Sequence, residues 1–385
     1  MIEKEEKLVE QALDNEIESV KTKRPIGAPI KNFTHRIAKK FKLFVKYQIP
    51  ASQSNFKSWV TSFRGVIILM CLILVSFIPL ILNEALYFRM FMLAMIYAIY
   101  AASWDLLSGV TGQVSFGHAA FWGIGAYACG AWVYFNNLNW FWAVMLGGVY
   151  AVVFGLLIAI PCLRFRGPYF ALGTLTFSLL LSLLFSMSSL RFIFYGGEGI
   201  PPILDFLFID IRLRFIFVLL IMIVSIAIML AVYNSRLGTI FQAIRDDEKS
   251  TEASGINVTK YKIYAFMISA FFAGIAGSIY ILDQTKVDPG IYSLNYSFYP
   301  VIMACIGGIA LISGAVFGAY FFIVLIQILE EVISTFLPAF SDLFTNISVF
   351  IFAIILLLVV RFTERGLMTP AIEQSKNLWD LLLGK

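Results

Sequence analysis

A chain of 385 residues that is 60% hydrophobic and 14% charged is far from the roughly half apolar, quarter charged make-up of soluble domains, which excludes a water-soluble globular protein and implies a polytopic membrane protein. The net charge of +5 belongs to the tails and loops, since 13 of the 29 Lys and Arg residues precede Val66; it points to anionic lipid or the cytosolic face of a bilayer, and no aromatic-interleaved basic stretch points to nucleic acid. The cysteines, Cys71, Cys129, Cys162 and Cys305, each sit inside an apolar run without paired spacing, so they read as small packing residues and not as disulfides or metal ligands.

Residues 1–20 are acidic, with Val9, Leu13, Ile17 and Val20 at mixed helical spacing, as in a short amphipathic cytosolic helix. Residues 21–64 hold eleven Lys or Arg and no acid. Phe33, Ile37, Phe41 and Phe44 recur there at three or four residues between lysines, the pattern of an interfacial helix, with a disordered basic tail as the alternative. No early apolar core precedes a small-residue cleavage site, so no signal peptide is expected. The division is a cytosolic extension over 1–64, a membrane domain over 65–365 and a cytosolic tail over 366–385.

Ten apolar runs follow, near 66–82, 90–107, 114–135, 140–160, 168–190, 213–233, 263–282, 297–312, 315–336 and 344–360. A crossing helix needs about 20 residues, so the predicted fold is all-α, a helical bundle of about ten transmembrane helices including a broken or re-entrant segment. With the basic N-terminus inside, Arg164, Arg166, residues 235–262, Arg361 and Arg365 all fall on the cytosolic side, as do both termini. Ser313 and Gly314 are expected to form a tight turn between the eighth and ninth runs, leaving either two spans or a re-entrant pair. Small residues at four-residue spacing, Ala119 with Gly123, Ala270 with Gly274 and Ser278, Ala273 with Gly277, and Gly314 with Gly318, mark close helix contacts, within a tight bundle or with a partner membrane subunit.

The third run opens on a polar, glycine-rich stretch that holds Gly109, Gly112, Gln113, Ser115, Gly117 and His118. A broken helix whose free N–H groups face a cavity uses such residues, and a helix start at Gly112–Ser115 offers its partial positive charge to a substrate carboxylate. Phe116, Phe121 and Trp122 stand close enough in sequence to supply apolar walls. The alternative is that Gln113, Ser115 and His118 bond to nearby backbone and fix the bend. Asp105, Glu330 and Glu331 are intramembrane acids of the kind an ion-coupled carrier shows; their places near run ends, with Trp104 beside Asp105, suit an interfacial or snorkelling role instead.

Residues 235–262 are the longest charged interruption between two apolar runs. Ile240, Phe241 and Ile244 precede Arg245, Asp246, Asp247, Glu248 and Lys249, as in a short helix with one apolar and one polar face, and Gly255 is a natural stop. Such a helix on the membrane surface can pass a push from a cytosolic partner to the spans it joins; the alternative is a solvated loop obeying the positive-inside bias. With only His35 and His118, no metalloprotease motif and no phosphate-cradling loop, no catalytic residue is expected, and any ATP must be bound by another chain.

Several ordered motifs carry a resemblance: Asp105 to Gly109 with Gly112, Gln113, Ser115, Gly117, His118 and Ala119; Gly196, Gly197 and Gly199; Ala243, Arg245, Asp246, Asp247 and Glu248 followed by Gly255; Ala273, Gly274 and Gly277; and Gly307, Gly308, Gly314 and Gly318. From about residue 90 to 366 the chain resembles the permease subunits of bacterial branched-chain amino acid ABC importers of the Liv type, departing from them at Ala310 and Ala315, where the family more often has Gly and Pro. The resemblance implies a non-catalytic subunit in the bacterial inner membrane, paired with a paralogous permease, two cytosolic ATP-binding subunits and an external solute-binding protein, with no cofactor on this chain and ATP on its partners. It also implies that Ala243, Arg245, Asp246, Asp247, Glu248, Glu252 and Gly255 dock an ATPase, while Gly112, Gln113, Ser115, Gly117 and His118 line the substrate path. Permeases of the same superfamily that move urea or short amides, and an ion-coupled secondary carrier, are the alternatives.

Overall fold

The structure, a computed structural model, describes residues 84–336 apart from 166, 192–194, 202–205 and 207–208, together with Pro79. The predicted N-terminal helices, the first and tenth runs, and Arg166, Arg361 and Arg365 lie outside the described residues.

Among the described residues, α1 (Ala85–Asp105) runs into a π-helical turn, Leu106–Val110, and the chain then continues through α2 (His118–Asn136), α3 (Trp140–Cys162), α4 (Pro168–Ser186) and α5 (Ile211–Tyr233). Two short helices, α6 (Arg236–Asp246) and α7 (Glu248–Ala253), lead to α8 (Val258–Gln284), α9 (Leu294–Gly307) and α10 (Ile312–Phe336). Polar side chains start several of these. Asn139 accepts the Phe141 N–H before α3, Asp210 the Arg212 N–H before α5, and Asn257 the Lys260 N–H before α8. Each satisfies one of the donors that a helix start leaves open.

Among the described residues, six segments are long and apolar enough to cross a membrane: Ala85–Val110, Trp140–Cys162, Pro168–Ser186, Ile211–Tyr233, Val258–Gln284 and Ile312–Leu329. Helices of this length and composition fit a chain that crosses a bilayer several times. Two predicted runs come out differently. The third begins at His118 and not at 114, because Gly112 takes φ +75 and residues 113–117 leave the helix. The eighth is α9, whose 14 residues rise only ~21 Å against a ~30 Å hydrocarbon core.

The turn after α9 is also displaced from the expected one. It occupies residues 308–311, with Gly308 at φ 120 and Ala310 at φ 65, while Ser313 and Gly314 lie inside α10. Gly314 is needed for approach and not for turning: a Cβ on it would stand 2.8 Å from the Gly307 carbonyl oxygen, and a Cβ on Gly307 would overlap the Gly314 carbonyl. Ala310 holds a left-handed conformation that favours glycine, so the bend survives the departure from the family pattern.

The small residues of α8 pack closely on α2 and α3, whereas Gly123 of the expected α2 stripe lies against the Tyr292 ring. Gly125 of α2 lies against the backbone of Gly274 on α8, Gly277 against the Trp122 carbonyl, and Gly147 of α3 against Ser278 Oγ. The outer faces of α3, α4 and α5 carry long apolar side chains such as Leu157, Leu183 and Leu213, which are exposed. The end of α5, the start of α8 and the π-turn after α1 share one end of the bundle, since α6–α7 link the first two and Arg245 of α6 touches Gly109 and Gly112.

Candidate functional site

The segment between α1 and α2 is tied at almost every residue. Ser108 Oγ donates to Gln113 O (3.1 Å) and accepts the Ser115 N–H (3.1 Å). The Gln113 N–H reaches Leu107 O at 3.3 Å, Trp104 Nε1 donates to Ser115 O at 2.6 Å, and the Phe116 N–H meets Thr174 Oγ1 at 3.2 Å. Of the N–H groups expected to be free at Gly112–Ser115, those of Gln113 and Ser115 are therefore already used, and α2 starts only at His118. Gly117 permits this because a Cβ there would overlap the Thr174 carbonyl on α4.

Ser115, Gly117 and His118 are buried, Gln113 is half-buried and Gly112 is exposed. Ser103 Oγ donates its one proton to Tyr100 O (2.7 Å), so in its 3.0 Å contact with His118 the ring Nε2–H is the donor. Phe121 and Trp122 are fully buried, Phe121 against Phe266 and Trp122 against Tyr97 and Tyr100, whereas Phe116 lies against Phe298. The three rings thus line different parts of the molecule.

The charged interruption forms two helices where one was expected. Its apolar face is as predicted, with Phe241 and Ile244 buried and Ile240 half-buried. The break comes at Asp247, which leaves the helix (φ −156, ψ 108) and caps α7, its carboxylate accepting from the Lys249 N–H (2.9 Å), the Ser250 N–H (3.2 Å) and Ser250 Oγ (2.7 Å). These donors, the Ser250 hydroxyl foremost, hold the Asp247 carboxyl below the ordinary carboxylate range. Thr251 Oγ1 lies 2.9 Å from Ala243 O and folds α7 back on α6, while Lys262 Nζ meets Glu248 Oε2 at 2.7 Å and ties α7 to α8. Arg245, Asp246, Asp247, Glu248, Glu252 and Gly255 are exposed and Ala243 is half-buried, and Gly255, at φ +83, follows the last turn of α7.

These two regions meet. Arg245 Nη1 donates to Gly109 O at 3.4 Å, and a Cβ on Gly112 would stand 3.0 Å from Arg245 Cγ, so the arginine lies over the glycine turn. One turn deeper, Asp105 is fully buried, which corrects the interfacial reading: its Oδ1 accepts the Ala310 N–H at 2.7 Å and fills the space left by Gly109. A surface helix, the π-turn and the α9–α10 turn are thereby joined through a few side chains. Sequence reasoning also missed a ring cluster in the bundle, in which Tyr97 packs on Trp122, Tyr280 and Tyr299, and Tyr280 and Tyr296 share a 2.8 Å hydroxyl contact. The i, i+3 tyrosines at 97/100 and 296/299 were its only signal.

Residues 86–360 match the family described as branched-chain amino acid transport system, permease component. The high-affinity branched-chain amino acid transport system permease protein LivM of Salmonella typhimurium is 26% identical over 273 residues, covering 63% of each chain. The protein of the same description from Escherichia coli is 26% identical over 279 residues, 65% of this chain and 63% of the relative, and a probable LivM of Methanocaldococcus jannaschii is 21% identical over 234 residues, 59% and 67%. The chain thus spans 63% of the length of the two bacterial relatives. No solved structure matches it. With well over half of its length inside the family match, this chain belongs to the permease components of branched-chain amino acid transport systems, a family of membrane transport subunits.

Proposed function

We propose that this chain is the membrane permease subunit of an ATP-driven importer that brings branched-chain amino acids into the cell. It works beside a paralogous permease, with two cytosolic ATP-binding subunits and an external solute-binding protein, in a bacterial inner membrane with both termini cytosolic. ATP is bound and hydrolysed on the partner subunits. The observation that carries this reading is the contact of Arg245, on an exposed amphipathic helix, with the turn at Gly109 and Gly112. A cytosolic ATPase that grips Ala243, Arg245, Asp246, Asp247, Glu248, Glu252 and Gly255 moves α6–α7, and the movement reaches α1 through Gly109 and the α9–α10 turn through Asp105 and the Ala310 N–H.

Gly112 and Gln113 then form the open edge of the substrate path. Ser115, Gly117 and His118 keep that wall in shape through their buried contacts with α1 and α4. Selection outside the membrane by the binding protein leaves this chain needing only a weak site.

The test is the complex purified in mild detergent and returned to vesicles. Two nucleotide-binding subunits are expected to copurify, and the vesicles are expected to take up leucine, isoleucine and valine but not urea. Reversing two exposed charges, Arg245→Glu with Glu252→Lys, is expected to lower uptake at least about tenfold while the chain stays in the membrane. A lone oligomer driven by a proton or sodium gradient, or uptake of urea without leucine, would overturn the proposal.

A further inference from the structure

Tyr97 and Tyr100 stand one turn apart on α1, as do Tyr296 and Tyr299 on α9, so each pair shares a helix face. Trp122 of α2 packs on both helices, and Gly277 lets the backbone of α8 come up to the Trp122 carbonyl. Between ring centres, Trp122 lies 4.4 Å from Tyr100, 5.0 Å from Tyr280, 5.4 Å from Tyr97 and 6.4 Å from Tyr296. Rings from α1, α2, α8 and α9 thus meet at one place inside the bundle.

Leu and Phe fill such a space without carrying a polar atom into it, whereas Tyr and Trp bury an O–H or N–H at a cost unless each finds a partner. The hydroxyls of Tyr280 and Tyr296 share a 2.8 Å contact, and Tyr100 Oη donates to Tyr296 O at 2.9 Å. Trp122 is fully buried, yet its Nε1–H has no acceptor among the described residues, which include all four tyrosines packed on it. A donor shut away from water calls for an oxygen that accepts, a carboxylate above all, while the electron-rich faces of the tyrosines suit a cation. The cluster itself holds no charged side chain, so a simple anion or cation would stay unmatched there. A zwitterion brings both charges and no net one.

We propose that Trp122 and the rings of Tyr97, Tyr280 and Tyr296 form a binding point for an α-amino acid inside the bundle, closed by the Tyr280–Tyr296 hydroxyl contact. The Trp122 Nε1–H donates to the α-carboxylate, and the tyrosine faces receive the α-ammonium. The assignment rests on the amino-acid import reading above and adds a site beyond residues 112–118. The rings are in contact, so a solute enters only when they part, and the hydroxyl contact between α8 and α9 is the bond that must open. Both helices are tied to α6–α7. Lys262 of α8 pairs with Glu248 of α7, and the turn after α9 is held by Asp105, beside the Gly109 turn that Arg245 touches. Movement of α6–α7 therefore shifts the two hydroxyls against each other.

The experiment follows leucine in vesicles that carry the whole complex. Uptake driven by ATP is measured with saturating solute-binding protein, beside ATP hydrolysis, and release is measured from preloaded vesicles without ATP. Trp122→Phe keeps a ring and removes the N–H, and is expected to cut uptake about tenfold or more with hydrolysis retained. Tyr280→Phe and Tyr296→Phe keep the rings and remove the hydroxyl contact, and each is expected to raise release about threefold or more. A cluster that only packs predicts wild-type uptake in Trp122→Phe, since removing an unmatched donor breaks no bond, and that result overturns the proposal. Wild-type release in both tyrosine variants overturns it as well, because the hydroxyl contact then closes nothing. If Trp122→Phe fails to accumulate, Tyr97→Leu carries the test: it removes one electron-rich face and is expected to cut uptake about fivefold, with wild-type uptake as the overturning result. A wild-type complex that transports no leucine instead removes the import reading itself, and this site with it.

Discussion

The interior formed by α2, α3 and α8 and the α6–α7 segment are held together by different physics. In the interior the contacts are backbone on backbone: Gly125 on Gly274 and Gly277 on Trp122, with Ser278 Oγ 2.9 Å from Gly125 O and 2.8 Å from Gly274 O. Lipid supplies no hydrophobic drive between helices, so closeness of approach must supply the attraction. The α6–α7 segment is exposed and polar, and its shape comes from a cap at Asp247, a hydroxyl bridge at Thr251 and the Lys262–Glu248 pair. The first region is thus sensitive to added volume, the second to lost charge.

The sharpest way to break that comparison is to add volume where the helices touch. Gly277→Leu places a side chain into the Trp122 backbone and is expected to destabilise the bundle by about 3 kcal/mol or more, read as a fall in the melting temperature of the detergent-purified protein. Leu183→Ala, on the outer face of α4 at 64% exposure, removes most of a large apolar side chain yet is expected to change stability by less than about 0.5 kcal/mol. Equal losses in the two variants would mean that apolar area, and not approach distance, holds the interior.

A smaller effect probes the polar region. Lys262 has 11% of its side chain exposed and Glu248 has 50%, so the pair is half in water and contributes only about 1 kcal/mol after screening. Lys262→Met, which keeps the apolar stem, is expected to speed amide exchange across Glu248–Ala253 while leaving the melting temperature of the bundle nearly unchanged. A large drop in melting would place this pair among the interior contacts and erase the distinction.

What could be read in advance follows the same division. Apolar runs and four-residue small patterns are local signals, and they located the helices and the close-packing faces of α8 and α10, while α2 meets α8 through Trp122 and Gly125 and not through the expected Gly123. The inward face of α6 was equally legible from Phe241 and Ile244. The α9–α10 turn was not, because Ser313 and Gly314 look like a turn by composition, whereas Gly314 is there to let backbones close and Ala310 carries the left-handed residue. Asp105 looked interfacial since its partner, the Ala310 N–H, is 205 residues away. The same holds for the start of α2: Gly112–Ser115 has the composition of an open helix end, and only the fold brings Ser108 and Leu107 to its donors.

The smallest expected effect concerns the cap that separates α6 from α7. Asp247 accepts three hydrogen bonds in its ionised form, and its folded carboxyl titrates below the ordinary value of about 4. The sign follows from linkage: a group whose folded value is depressed contributes fully above its unfolded value and loses that contribution as pH falls through the folded one. Protection of the Lys249 and Ser250 amides, measured against their intrinsic exchange rates, is therefore expected to be flat from neutral pH down to about 5 and to decline below about 4. Asp247→Asn keeps an oxygen that can accept from the same amides, so it is expected to retain most of the protection at neutral pH and to lose the part of the acid decline that Asp247 carries, leaving the part that follows from protonation of Glu248 in its pair with Lys262. Asp247→Ala removes the acceptor and is expected to lower protection at every pH. Protection in the parent protein that is indifferent to acid would show that Thr251 and the Ala243 carbonyl alone hold α7, leaving volume at the bundle and a single hydroxyl, with no charge at all, to account for both regions.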